Sequence, residues 1–299
     1  MTNNSNEQTK RIVHAYPLSQ WERLANEEGS KICKIVHIVR HAEGTHNVGR
    51  AYNEVENRDA RLTEKGHDQC RALAEKCASA PEGTVLHRLL HPSTTKVNNN
   101  NKNNNNNVLV VTSSMTRCVE TALESFPTLA EDPTIPFVAN EDIRETVNYE
   151  CDRRRPLVEL QKDFSRVDFG TIQSNEDGIW KHYEERLGVD YVGPKESAEL
   201  YTVAERGRRF WQWLSEQPEQ QVVVCTHSAF LRCTMSWGQT GGVAMQMEQR
   251  LDERPNPTNE PIFRYHPSDD DDKEEDFETY LRADYANCEL RSFVMVIED

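Results

Sequence analysis

An arginine and a histidine stand side by side directly after an apolar run of the chain. The run is Lys34–Val39, and the pair that follows it is Arg40 and His41. A neutral imidazole nitrogen is a nucleophile, and a guanidinium is a permanent cation whose planar donors fit phosphate oxygens. The pair therefore predicts phosphoryl transfer through a phosphohistidine. One such dipeptide is weak support, because most Arg-His pairs are surface charge.

Two further apolar runs lead into polar groups of the same kind. Val108–Val111 leads to Arg117, and Val222–Cys225 leads to His227. β-Branched runs separated by segments of helical periodicity predict buried parallel strands of an α/β sheet. Ligands bind beyond the carboxyl ends of such strands. We therefore expect Arg117 and His227 to meet the Arg-His pair at one edge of the sheet.

These motifs resemble those of the histidine phosphatase superfamily, branch 1, the phosphoglycerate-mutase-like enzymes. Arg40-His41-Ala42-Glu43 is similar to the family's Arg-His-Gly-Glu/Gln signature, with Ala42 in place of the usual glycine. The resemblance continues, in the family's order, over Asp59–Gly66, Ser113–Ala122, Asp142–Glu145 and Thr226–Arg232. Other segments resemble a subgroup of small cytosolic phosphoglycerate-mutase-like proteins of plants and fungi; they are Cys151–Arg155, Asp168-Phe169, Glu176–Trp180 and Asn287–Glu289.

The resemblance implies a fold and a set of roles. The implied fold is a three-layer α/β/α sandwich with a mostly parallel central sheet. His41 would be the nucleophile, and His227 would assist catalysis as well as bind phosphate. The implied phosphate-binding set is Arg40, Asn47, Arg117 and His227. The implied partner is a small phosphorylated substrate.

The sequence offers three candidates for the general acid. Glu145 is the first, because its loop is similar to the one that carries the proton donor in the family. Glu43 and Glu150 are the alternatives. The other branch of the superfamily has an aspartate straight after its second histidine, whereas Ser228 follows His227 here. The absence of that acid favours Glu145.

Three functions compete on these observations. The leading prediction is a metal-independent phosphomonoesterase that acts on a small phosphorylated metabolite. A phosphoglycerate-type mutase is the second, although mutases typically continue past the acid as Glu-Arg-His-Tyr-Gly and this chain reads Glu145-Thr146-Val147-Asn148-Tyr149. A catalytically inactive phosphate-binding module is the third, although such relatives usually lose a histidine or arginine that this chain retains.

Composition narrows the partners and the compartment. The 299-residue chain has a formal net charge of −15, which argues against nucleic acid as a partner. No apolar stretch approaches the ~20 residues of a membrane helix, and no signal peptide is visible. The eight cysteines show no metal-ligand spacing, and Cys70 and Cys77 lie at core-facing helical spacing. We therefore expect no metal, no cofactor, and a reducing compartment, cytosol or nucleus.

The chain is expected to form one catalytic domain over residues 31–299, after a polar leader over residues 1–30. Two insertions interrupt the domain. Residues 97–107 are an asparagine-rich run that cannot bury apolar surface and should be disordered. Residues 241–280 are loop-rich, and their acidic stretch Asp269–Glu278 carries eight acids and one lysine.

Periodicity and capping predict the remaining elements. Helices are expected over Thr63–Ser79, Met115–Phe126, Glu196–Glu216 and Ser228–Trp237. Strands are expected over Pro136–Ala139, Gln221–Thr226 and Leu290–Ile297, and residues 140–188 are expected to be an irregular lobe.

Arg153, Arg154 and Arg155 are unexpected in so acidic a chain. One hypothesis is that one of them projects into the mouth of the pocket and binds a second anionic group of the substrate. The alternative is a solvated turn paired with Asp152 or Glu159.

Overall fold

The computed structural model describes residues 12–27, 31–91, 108–196, 200–239, 260–267 and 276–298. In these ranges seven strands form one sheet. The strands are β1 (Val13–Tyr16), β2 (Lys31–Arg40), β3 (Val108–Ser113), β4 (Phe137–Asn140), β5 (Gln221–Thr226), β6 (Phe263–Tyr265) and β7 (Leu290–Glu298). Their order across the sheet is β4-β3-β5-β2-β7-β1-β6.

The centre of the sheet is parallel. β4, β3, β5 and β2 run in the same direction, and β7 pairs antiparallel with β2 and β1. Arg40 lies opposite Thr226, and Thr112 lies opposite Cys225. The carboxyl ends of β2, β3 and β5 therefore reach one edge of the sheet together. The predicted α/β fold with a mostly parallel sheet is confirmed.

Helices cover both faces of the sheet. They are α1 (Trp21–Asn26), α2 (Glu64–Ala78), α3 (Val85–Leu90), α4 (Thr116–Ser125), α5 (Pro127–Glu131), α6 (Leu157–Asp163), α7 (Gly178–Leu187), α8 (Leu200–Glu216), α9 (Ser228–Ser236) and α10 (Phe277–Arg282). Successive residues of a strand point to opposite faces. Accordingly, Ile38 packs in the core under α8 and α9, whereas Val39 packs in the core under α2 and α4. This arrangement is the predicted three-layer sandwich.

The start of α2 clamps the segment that follows β2. The Thr63 hydroxyl accepts a hydrogen bond from the Gly66 N–H at 3.0 Å, which caps the helix. The Thr63 N–H in turn donates to the Glu43 carbonyl at 2.9 Å. A Cβ at Gly66 would lie 2.3 Å from that same carbonyl oxygen. Glycine is therefore needed for helix and segment to approach so closely.

Several elements differ from the sequence prediction. The short strands β1 and β6 were not predicted, because three or four residues carry too little periodicity to be recognised. α6 and α7 lie in the segment that was expected to be irregular. Residues 97–107 and most of residues 241–280 lie outside the described residues. Cys70 and Cys77 are buried and free, as expected, and none of the described helices is long and apolar enough to cross a membrane.

The close approach at Gly66 predicts a specific sensitivity. Gly66→Ala should lower the free energy of unfolding by about 1–3 kcal/mol, because the Glu43 carbonyl is backbone and must be displaced. Gly178→Ala is the matched control, since its Cβ would meet the Ser174 Cβ at an ordinary 4.0 Å. Urea unfolding of both variants measures the difference, and equal stability of the two would contradict the clamp.

Candidate active site

His41 is held as a neutral imidazole with one ring nitrogen left free of a hydrogen bond to the backbone. Its backbone N–H donates to the Thr226 carbonyl at 2.9 Å, and its ring Nδ1 lies 2.7 Å from the Ala42 carbonyl oxygen. A carbonyl oxygen only accepts, so Nδ1 carries the proton and Nε2 keeps its lone pair. Burial, followed by the nearby Arg117, His46 and Arg40, holds the pKa of His41 well below its ordinary value.

His227 faces His41 across the edge of the sheet. The two ring centroids are 5.2 Å apart, with an angle of 60° between the planes. Nε2 of His227 lies 2.9 Å from the Ser113 hydroxyl and 3.3 Å from the Cys118 sulfur. Burial and Arg117 hold the pKa of His227 well below its ordinary value. The ends of β2, β3 and β5 thus bring both predicted histidines together.

Two arginines beside the histidines keep unused donors. Arg117 is fully buried and donates to the Cys151 carbonyl at 2.8 Å and to the Asp152 carboxylate at 3.2 Å. Arg40 donates to the Tyr285 carbonyl at 2.6 Å. Nε of Arg40 and Nε of Arg117 are buried without a hydrogen-bond partner among the described residues. Buried donors without a partner are rare in folded proteins, and these two are suited to bind an anionic ligand.

Asp59 fixes the helix that carries Arg117. Its carboxylate accepts from the Thr116 backbone N–H at 2.8 Å and from the Thr116 hydroxyl at 2.7 Å. An aspartate in this position stabilises the amino end of α4 and accepts from one of its otherwise unpaired backbone N–H groups. Arg155 donates to the same carboxylate at 3.1 Å. The resemblance covered Asp59 but assigned it no role.

Glu145 lies against the amino end of α9, beside His227. Its carboxylate accepts from the backbone N–H groups of Ala229 at 3.2 Å and Phe230 at 3.1 Å. Burial, with a further contribution from Asp152, raises its pKa above the ordinary value. A carboxyl that keeps its proton at higher pH is suited to act as a general acid.

The two alternative acids are engaged elsewhere. Glu43 pairs with Lys65 at 2.7 Å and accepts from the Thr63 hydroxyl, and its ion pair with Lys65 lowers its pKa. Glu150 pairs with Arg58 at 3.1 Å on the surface. Neither geometry favours donation of a proton to a leaving group.

Long-range ion pairs that sequence reasoning missed hold the Glu145 loop. Arg206 on α8 donates to the carbonyls of Asp142 at 2.8 Å and Glu145 at 3.3 Å, and it pairs with Glu196 at 2.9 Å. Arg144, fully buried, binds Asp177 through two donors at 2.8 and 2.7 Å. No local sequence pattern marks partners so far apart along the chain.

His46, to which no role was assigned from the sequence, also lines the site. Its ring centroid lies 5.5 Å from that of His41, and its Nδ1 is buried without a partner among the described residues. Burial, Arg117 and Arg40 lower its pKa to about 2. Asn47 is half-buried and its Oδ1 accepts from the Gly44 N–H at 3.0 Å, which leaves its NH₂ group as the end that can meet a ligand.

The hypothesis that one of the three arginines binds a second substrate anion is wrong for Arg154 and Arg155. The Arg154 side chain is buried and donates to the carbonyls of residues 155 and 174–176. Arg155 binds Asp59, Asp163 and Thr116. Arg153 lies 5.2 Å from the centre of a Trp180 ring and 3.6 Å from Glu184. The solvated-turn alternative is right only in part: Arg155 lies 3.9 Å from Glu159, one of its two predicted partners, but Arg154 is buried and Arg153 and Arg155 are only partly exposed.

Comparison with known proteins agrees with this geometry. The family model described as histidine phosphatase superfamily (branch 1) matches residues 97–252. A phosphoglycerate mutase-like protein of Arabidopsis thaliana is 30% identical over 215 residues, which cover 68% of this chain and 74% of that relative. Phosphoglycerate mutase-like protein 1 of the same plant is 27% identical over 275 residues, covering 88% and 82%. The chain belongs to the histidine phosphatase superfamily, branch 1.

A solved structure of a mycobacterial glucosyl-3-phosphoglycerate phosphatase is also similar. It matches 67% of this chain and 77% of its own, with 16% identity and a TM-score of 0.34. Membership of the family supports a phosphatase-type activity for this protein.

The buried Arg144–Asp177 pair predicts a pH-dependent loss of stability. Burial alone would raise the pKa of Asp177, but Arg144 outweighs it and the net pKa lies below the ordinary value. The pair therefore stabilises the fold above about pH 4, and this stabilisation is lost as the pH falls through the folded-state pKa.

Asp177→Asn should lower the free energy of unfolding at neutral pH by about 3–5 kcal/mol, because the buried Arg144 loses its bidentate carboxylate and keeps only Glu141, at 3.3 Å, as an anionic partner among the described residues. The deficit should shrink in acid. Asp163→Asn, which breaks exposed pairs only, should cost less than about 1 kcal/mol. Denaturant titrations at several pH values measure both. A deficit for Asp177→Asn that is constant with pH would contradict the argument.

Proposed function

We propose that this protein is a metal-independent phosphomonoesterase that works through a phosphohistidine on His41. The observation that carries the proposal is the cluster of orphaned buried donors around a neutral imidazole. The donors are Nε of Arg40 and Nε of Arg117, which lack partners among the described residues. Nδ1 of His46 is likewise unpartnered, and it donates in the tautomer that carries its proton there. A phosphoryl group is an anion whose oxygens can accept hydrogen bonds from such donors.

In the first step, Nε2 of His41 attacks phosphorus and the bond to the ester oxygen breaks. The lone pair forms the N–P bond, and the departing oxygen takes a proton from Glu145. The imidazole becomes a cation, and the Ala42 carbonyl that already accepts from Nδ1 stabilises it. Arg40, Arg117 and His227 would hold the oxygens over which charge spreads, with Asn47 as a neutral donor.

In the second step, water replaces the leaving group. The Glu145 carboxylate takes a proton from the water as its oxygen attacks phosphorus. The N–P bond breaks, its electron pair returns to Nε2, and inorganic phosphate departs. Both groups end in their starting protonation states, so the same carboxyl serves as acid and then as base.

A mutase would return the phosphoryl group to a second substrate hydroxyl, and an inactive module would bind phosphate without turnover. Release of inorganic phosphate from p-nitrophenyl phosphate in EDTA, beside an assay of phosphoglycerate interconversion, separates the three functions. Phosphate release without interconversion is the expected result.

His41→Ala should reduce turnover to the background rate, because the variant has no nitrogen to carry the phosphoryl group. Wild type mixed with ³²P-labelled substrate and quenched in base should retain label that is stable in alkali and released by acid. His182→Ala, an exposed histidine, is the matched control and should behave as wild type. Turnover by His41→Ala above background would exclude the phosphohistidine mechanism.

The pH profile should reflect the opposite pKa shifts of the histidines and Glu145. Activity should persist at about pH 5, where an ordinary histidine is protonated, because the pKa of His41 is lowered. Activity should fall on the alkaline side as Glu145, whose pKa is raised, loses its proton. Glu145→Gln should abolish that alkaline limb.

The effect of Glu145→Gln on kcat should depend on the leaving group. Glu145→Gln should lower kcat for an alkyl phosphate by about 100- to 10,000-fold, and much less for p-nitrophenyl phosphate, whose leaving group needs no proton. Glu150→Gln is the matched control. If Glu150→Gln alone shows this pattern, the assignment of the acid is wrong.

A further inference from the structure

A row of four aromatic rings runs from the nucleophile towards the surface. The ring centroids are 5.5 Å apart from His41 to His46, 6.1 Å from His46 to Tyr52, and 5.5 Å from Tyr52 to Tyr149. His41 and His46 are buried, whereas both tyrosines are partly exposed. The phosphohistidine mechanism uses only the first ring of this row.

Backbone contacts at Gly44 and Tyr52 fix the positions of these rings. A Cβ at Gly44 would lie 2.7 Å from the His46 ring, so only glycine lets that ring lie flat against the segment. The Tyr52 carbonyl accepts from the Cys151 N–H at 3.0 Å, which joins the loop of Tyr52 to the loop of Tyr149. The two tyrosines then stack at an interplanar angle of 26°.

The row is also uncharged. The pKa of His46 is lowered to about 2, so its ring is neutral at any ordinary pH. Val48 and Val55, on the same segment, are 57% and 63% exposed and extend the apolar surface outwards. The neighbouring cations Arg58, Arg153 and Arg155 are paired with carboxylates. A leaving group that lies along this wall meets the rings, and Arg50 is an exposed cation on the same segment.

We propose that the wall of His46, Tyr52 and Tyr149 binds the leaving group, and that the preferred substrates are phosphomonoesters of uncharged aryl or arylalkyl alcohols. This inference rests on the proposed function, because it assumes that the phosphoryl group is bound at His41. Tyr52 and Tyr149 are thereby specificity-determining residues. Arg50, exposed on the same segment, offers the competing possibility that a carboxylate is recognised instead.

The test compares esters whose leaving groups have similar acidity, so that the chemical step is the same. 2-Phenylethyl phosphate, ethyl phosphate and 3-phosphoglycerate serve as substrates. The wild-type kcat/KM for 2-phenylethyl phosphate should exceed that for ethyl phosphate by roughly tenfold, mostly through KM, from the aromatic contact and the area it buries. A ratio near one, or a preference for 3-phosphoglycerate, would overturn the inference while leaving the phosphatase intact.

Variants of the wall make the test specific. Tyr52→Ala and Tyr149→Leu should each reduce the phenylethyl-to-ethyl ratio several-fold, and Tyr52→Phe should restore it, since the ring and not the hydroxyl makes the contact. Tyr191→Ala, an exposed tyrosine elsewhere, should keep the wild-type ratio. A ratio unchanged in both wall variants, with melting temperatures equal to wild type, would remove the tyrosines from the binding site.

A binding measurement separates this inference from the proposed function. Phosphonates have a P–C bond that cannot be hydrolysed, so calorimetric titration of 2-phenylethylphosphonate and ethylphosphonate needs no turnover. Selective binding of the aromatic phosphonate with no hydrolysis of any ester would refute the phosphatase and retain the wall as a binding surface. Equal affinity for the two phosphonates would refute the wall.

Discussion

The buried charge of Arg117 is the constraint to which the rest of the site is fitted. A guanidinium with no solvent exposure is costly unless it is paired, and Asp152 and the Cys151 carbonyl provide that pairing. The pairing is incomplete, because Nε keeps no partner among the described residues. Arg117 is thus a buried cation with one N–H free to meet a ligand. Electrostatic stabilisation of an anion is strongest at such a site, because water is excluded from it.

The charge of Arg117 adds to burial in lowering the pKa of the neighbouring histidines. Arg117 contributes to the lowered pKa of His41, His46 and His227 alike. In the proposed mechanism a protonated imidazole could not attack phosphorus, so the same cation would also help to keep His41 reactive. Asp152 acts in the opposite direction on Glu145, where it helps burial to raise the pKa. Burial therefore lowers the pKa of the histidines and raises that of Glu145, and Arg117 adds to the first shift as Asp152 adds to the second.

Much of the fold and of the phosphate end of the site could be predicted from the sequence, because both follow from local patterns. Three β-branched runs followed by Arg40, Arg117 and His227 placed those groups at one sheet edge, and the structure has them there. The long-range contacts that hold the Glu145 loop, such as those of Arg206 and Asp177, could not be predicted. Their partners are brought near by tertiary packing, and a charged residue on a helix looks the same in sequence whether it is exposed or buried.

The hypothesis failed for Arg154 and Arg155 for a related reason. A cluster of cations suggests a ligand only if the fold leaves it unpaired, and pairing is a property of the assembled structure. Here the acids that meet the arginines of the cluster come from positions as distant as Asp59 and Glu184. An unpartnered donor is not a sufficient guide either, because Nε of Arg88 and Nε of Arg144 also lack a hydrogen-bond partner among the described residues. Arg40 and Arg117 are distinguished by their position beside the histidines.

The site divides into two parts that are built differently. The phosphoryl end is made by the ends of buried parallel strands, where a shift of register would disrupt the whole core. The proposed leaving-group end is made by the segments after β2 and after Glu145, where Tyr52 and Tyr149 are partly exposed although Val147 and Cys151 beside them are buried. Changes in Tyr52 or Tyr149 can therefore alter which ester is bound without disturbing the atoms that break the P–O bond. The Cys151 N–H joins these two segments, and the Cys151 carbonyl accepts a hydrogen bond from Arg117. Cys151 therefore positions both the proposed wall and the arginine proposed to bind phosphate.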